Sequence, residues 1–164
     1  MYNELSMRIP TIYLETTIFN FPFSDDAPQY RADTRRLFNE IKAGKYKPFT
    51  SKYVTLELES TRDVEKLNLM KSLITDYEVA VIPASDEIER LANVYVAAGV
   101  IPKKYATDAL HIAAATVSGL DFIVSLNFRH IVKHKTIIET ELINAREGFK
   151  RVFIHTPAEV TEND

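Results

Sequence analysis

Short apolar runs alternate along this 164-residue chain with longer segments of helical period, and that alternation narrows the fold more than any other feature. IPTIYL (9–14), YEVAVIP (77–83) and DFIVSL (121–126) read as buried strands. YKPFTS (46–51) is a weaker strand signal, because Pro48 cannot donate to a ladder, and RVFIH (151–155) is a last short one. Helix patterns lie between them. PQYRADTRRLFNEIKAG has Pro28 in its first turn and Gly44 as its stop. KYVTLELES and DVEKLNLMKSLIT read as two helices split near Ser60 and Thr61. SDEIERLANVYVAAG has Ser85 as its N-cap, an apolar face of Ile88, Leu91, Ala92, Tyr95 and Val96, and Gly99 at its end. A further helix begins after Pro102 and ends at Gly119, and TIIETELINAREG is another. The tail TPAEVTEND is polar and is predicted to fray. Strands separated by helices imply an α/β fold in which a parallel sheet is covered on both faces. The length suits one domain spanning residues 1–164, with 9–155 as its core and 156–164 as the tail.

Composition excludes several classes. There is no cysteine, so a metal would have to be held by carboxylate, imidazole, carbonyl or water, which favours hard ions such as Mg²⁺ or Mn²⁺. No apolar run approaches the ~18 residues of a membrane span. The opening MYNELSMRIP lacks the apolar core of a signal peptide, so a cytoplasmic location is expected. A net charge of −3 gives no global pull on nucleic acid, and binding it would need a local basic patch.

Parallel α/β sheets bind ligands beyond the carboxyl ends of their strands, at a topological switch point. Glu15 follows the first strand and Asn127 the fourth. Glu57 lies on the helix after the second strand, and Asp108 in the first turns of the helix leading into the fourth. Each also has an ordinary reading. Glu15 could cap the next helix, Asn127 could form an Asx turn, Glu57 could be solvated, and Asp108 suits a helix N-terminus. Yet Asp108 shares a face with Ile112 and Ala115, which aims its carboxylate towards the core. Glu57 and Glu59, two apart, cannot both face the sheet. His111 reads as a packed residue or a partner for Asp108, and His130 and His134 as solvated. NFRHIVKHK (127–135) holds Arg129, Lys133 and Lys135 without an acid, and Lys103 and Lys104 precede Asp108. An acidic site with a basic rim suits a phosphodiester substrate.

At these residues the sequence resembles the PIN-domain family of metal-dependent ribonucleases. The resemblance spans nearly the whole chain and is sharpest in IYLETTIFN, VTLELE, DALHIAAATVSGLDFIVSLNFRHI and INAREGF…IHTPAEV. It is closest to small prokaryotic members related to the toxin nucleases of toxin–antitoxin pairs. It implies a three-layer α/β/α fold with a central, mostly parallel sheet and a cluster of acids that binds Mg²⁺ or Mn²⁺. Glu15, Glu57 and Asp108 match the first three acidic positions, where the first is usually Asp. The fourth, often Asp, is Asn127 here. Glu at the first position shifts a carboxylate by about a bond length, and Asn at the last removes a charge.

The expected function is hydrolysis of RNA, single-stranded or structured. Glu15, Glu57 and Asp108 would hold the ion, Asn127 would orient the ligand shell, and Lys103, Lys104, Arg129 and Lys133 would bind phosphate. The alternative is a PIN-like module that binds RNA or protein with little or no cleavage, or a toxin masked by an antitoxin protein. A homodimer through stripes such as 85–98 is expected from the resemblance, although the core needs the same stripes. A receiver-type phosphoacceptor is disfavoured, because VIPAS stands where its third-strand Asp would be.

Overall fold

The computed structural model describes residues 8–161. The signal-peptide reading of the first seven residues, and residues 162–164 of the polar tail, lie outside them. Five strands, β1 (Thr11–Leu14), β2 (Lys47–Ser51), β3 (Ala80–Ile82), β4 (Phe122–Val124) and β5 (Phe153–His155), form one sheet in the order β3-β2-β1-β4-β5. Every pairing is parallel. Helices cover both faces, giving three α/β/α layers. They are α1 (Thr16–Asn20), α2 (Pro28–Lys42), α3 (Lys52–Leu58), α4 (Val64–Asp76), α5 (Asp86–Ala97), α6 (Ala106–Val117), α7 (His134–Arg146) and α8 (Pro157–Val160).

The strands are shorter than their apolar runs because pairing, not hydrophobicity, bounds them. Pro48 is tolerated because it pairs only with Ile12 of β1, and the ladder to β3 starts one residue later at Phe49. The central strand is fully enclosed, with Ile12, Tyr13 and Leu14 all at 0% exposure. α5 starts at the predicted cap, where the Ser85 side chain accepts from the Ile88 amide, and its Ile88, Leu91, Ala92 and Tyr95 are buried. That stripe is therefore occupied within the chain, chiefly against α6. α2 ends before Gly44 at φ 82°, a left-handed conformation that glycine adopts without strain.

The tail departs from expectation. Residues 156–160 do not fray: Thr156 and Glu159 form a reciprocal capping box around α8, and the Tyr46 hydroxyl donates to the Val160 carbonyl at 2.5 Å.

The chain moves outwards from β1 to β2 and β3, then returns to lay β4 on the other side of β1. The switch point thus lies between β1 and β4, and Glu15 follows one strand and Ser125 the other.

Candidate functional site

Glu15 leaves β1 as the N-cap of α1. It is 3% exposed, and three donors converge on its Oε1: the Thr17 hydroxyl at 2.6 Å, the Ser125 hydroxyl at 2.6 Å and the Thr17 amide at 3.3 Å. Its own amide donates to the Val124 carbonyl at 3.2 Å, stitching β1 to β4. Burial raises its carboxyl above the ordinary value, opposed by the field of His111 and by these hydrogen bonds. The capping role open to Glu15 in the sequence is realised.

Glu57 comes from the last turn of α3 and is half-buried. Its Oε1 accepts from the Thr16 hydroxyl at 2.7 Å and lies 2.5 Å from His111 Nε2. Burial works against its charge, but the bond and field of His111 and the Thr16 hydroxyl prevail and hold its carboxyl below the ordinary value. Glu59 points away, exposed and paired with Lys71 at 2.9 Å, so only Glu57 serves the site.

Asp108, in the first turn of α6, is half-buried as its helical face predicts. Burial raises its carboxyl; the field of His111 and a hydrogen bond from the Asn127 side chain oppose the rise, and the nearby charge of Glu57 adds to it. Asn127 does two tasks. Its Oδ1 accepts from the His130 amide at 3.0 Å in an Asx turn, and its side chain opposes the rise of the Asp108 carboxyl.

The centre of the cluster is His111, which the sequence leaves as a packed residue or a partner for Asp108. It lies entirely buried on α6, bonded to Glu57 through Nε2 and to the Tyr13 hydroxyl through Nδ1 at 2.8 Å. Tyr13 in turn meets Ser51 Oγ at 2.7 Å. Burial disfavours a charged imidazole, yet the bond to Glu57 and the fields of Glu15, Glu57 and Asp108 win, raising its pKa. Sequence reasoning passed over Tyr13, Thr16, Thr17, Ser51 and Ser125. Tyr13, Ser51 and Ser125 lie within strand patterns and Thr16 and Thr17 just after one, and no spacing marks them.

The basic rim has a definite form. Lys103, Lys104, Arg129 and Lys133 are all exposed, and none makes an ion pair among the described residues. Lys135 differs, with its ammonium on the Gly99 carbonyl at 2.9 Å and near Glu139. His134 is exposed as expected. His130 is not solvated: its ring lies against Tyr105 at 4.0 Å between centroids, and its Nε2 is buried without a hydrogen-bond partner. Aromatic packing has drawn it in.

The fit to a divalent ion divides the predicted ligands. Among the described residues, no three His, Asp or Glu side chains form a group that could hold a metal ion. Glu15 is directed into the fold, onto Thr17 and Ser125. Glu57 and Asp108 remain as two electrostatically coupled, half-buried carboxylates. Magnesium characteristically keeps several waters and binds one or two carboxylates together with substrate phosphate. The chemistry of this pair fits such a hydrated ion. It does not fit a closed three-carboxylate cage.

No protein-family model matches the chain, and no curated protein matches it in sequence. Among solved structures, a chain in the crystal structure of VapBC2 from Rickettsia felis, bound to a DNA fragment from their promoter, is similar in fold. The TM-score is 0.53 at 12% identity, covering 89% of this chain and 98% of that one. A likeness at that identity speaks for the fold. No helix among the described residues is long and apolar enough to cross a membrane.

Proposed function

We propose that this chain is a PIN-like ribonuclease, hydrolysing phosphodiester bonds of RNA at the Glu57–Asp108 edge with the help of Mg²⁺ or Mn²⁺. The observation that carries the reading is a coupled pair of half-buried carboxylates beyond the carboxyl ends of the strands, with Arg129, exposed and free of ion pairs among the described residues, in the turn that begins at Asn127. The sequence resemblance and the fold likeness to a VapBC2 chain support it.

Held by Glu57 and Asp108, a divalent ion would supply an activated water and offset charge developing on the phosphate. The chain's own residues do the rest. His111 and Thr16 fix Oε1 of Glu57, so the direction of the other oxygen is set before substrate arrives. The Asn127 side chain favours the charged form of Asp108. Glu15, Ser125 and Thr17 lock the ends of β1 and β4 together beneath the pair. Lys103, Lys104, Arg129 and Lys133 attract and position phosphates without reading bases.

The test is cleavage of labelled single-stranded RNA with Mn²⁺, Mg²⁺ or EDTA. Metal-dependent cutting is expected, and Asp108→Ala should reduce it by at least about 100-fold, as loss of a group that stabilises the reacting centre does. An Asp108→Ala protein that cuts at the wild-type rate would overturn the assignment.

A second reading has its own support. The inward Glu15, the amide at Asn127 and a Glu57 carboxylate already bonded to His111 favour a module that binds RNA or protein and cleaves weakly. RNA retained without metal-dependent turnover would favour it. The resemblance to toxin nucleases also supports an antitoxin protein as partner, which co-purification with the product of an adjacent small gene would test.

A further inference from the structure

The turn after β4 displays two side chains that the acid cluster does not use. Asn127 closes this turn tightly. Its Oδ1 accepts from the His130 amide, and its carbonyl accepts from Ile131 and Val132 at 3.1 and 2.8 Å. Phe128 and Arg129 are thereby turned outwards, both exposed, directly beside the residue whose side chain favours the charged form of Asp108.

Phe128 is 46% exposed. A lone exposed phenylalanine is ordinary, but this one is backed. Its ring leans on Tyr30 at 6.0 Å and 33°, and Tyr30 stands edge-on to Phe21 at 5.2 Å and 76°. The row of rings fixes Phe128 and leaves part of its surface to solvent. Arg129 is seated differently. Its guanidinium lies over Tyr105 at 5.2 Å, the Lys104 ammonium lies 5.8 Å from the same ring, and His130 packs against it. A cation held by a ring face keeps its N–H groups unspent, so Arg129 is positioned while its donors remain free for phosphate. An aromatic surface beside a pre-positioned cation is how sequence-tolerant single-strand binders hold successive nucleotides.

We propose that Phe128, backed by Tyr30, is a base-stacking platform for single-stranded RNA, and that Tyr105 is the seat that holds Arg129 for the adjoining phosphate. The proposal rests on the reading of the chain as an RNA-acting protein and names how that site grips its substrate. The two cations on Tyr105, Lys104 and Arg129, neither in an ion pair among the described residues, favour a polyanion over a protein segment as the occupant.

The experiment measures affinity in EDTA, where cleavage plays no part, for a short single-stranded RNA and for the same strand with abasic positions. Phe128→Ala should weaken binding of the base-carrying strand about tenfold and leave the abasic strand unchanged. Phe128→Leu, which keeps an apolar contact to Tyr30, should behave like Phe128→Ala, and Phe128→Tyr like wild type. Equal loss on both strands, or loss on neither, would overturn the platform while leaving the ribonuclease reading intact. Wild-type protein that binds neither strand would overturn both and leave the surface to a protein partner. Binding as proposed with no metal-dependent cutting would uphold the platform and remove the nuclease.

Discussion

Two half-buried carboxylates, Glu57 and Asp108, lie close enough for the charge of one to raise the carboxyl of the other. A buried imidazole with a raised pKa among Glu15, Glu57 and Asp108 opposes that rise. A second acid shows the same logic at the opposite end of the strands. Burial alone would raise the Asp121 carboxyl, but bonds from Arg8, the Thr11 amide and Lys150 hold it well below the ordinary 3.8. A depressed carboxyl contributes stability above the unfolded value and loses it as pH falls through the folded one. Asp121→Ala should therefore cost about 1–2 kcal/mol at neutral pH, discounted because Arg8 and Lys150 are solvent-screened. The gap to wild type should close as pH falls below 3.8, which urea titrations at neutral and acid pH would measure. Sequence singled out Asp108 because a carboxylate on a core-facing helical stripe needs a reason, and Glu57 only through the family resemblance. It could not reveal the partner of His111, since Glu57 lies 54 residues away and only packing joins them.

Elements aim the site through their caps. Ser51 ends β2, caps α3 by accepting from the Val54 amide at 3.4 Å, and also meets the Tyr13 hydroxyl. Ser51→Ala should cost about 1 kcal/mol as a cap. It should also lower RNA cleavage roughly tenfold by loosening Glu57, with affinity for RNA unchanged and Ser51→Thr restoring much of the rate. Cap and stop residues were the most legible features: Ser85, Pro28, Gly44 and Gly99 act where the pattern put them. Strand lengths were not, because apolar runs such as 77–83 continue past the last pairing, and β3 is an edge strand paired on one side only. The capped turn at α8 was visible as a Thr-Pro-Ala-Glu signature, but the polarity of the tail obscured it.

For the whole molecule, a net charge of −3 coexists with a rim of four unpaired cations, so any grip on RNA is local. If all four meet phosphates, the logarithm of affinity should fall against the logarithm of salt with a slope of roughly −3, about −0.7 for each single-strand contact. Lys103→Ala should shallow that slope by about one contact, and filter binding across a salt series would read both. The parallel sheet itself was legible, since alternating strand and helix patterns leave few other solutions. Strand order was not, because nothing local says that β4 returns to the far side of β1. That return has a consequence for the protein's birth. Glu15 and Glu57 leave the ribosome early, Asp108 and Asn127 late, and β4 must dock beside β1 before the two pairs can meet. On the proposed reading, a nascent chain is therefore chemically silent through most of its synthesis, and the site can assemble only when the last third of the polypeptide has arrived.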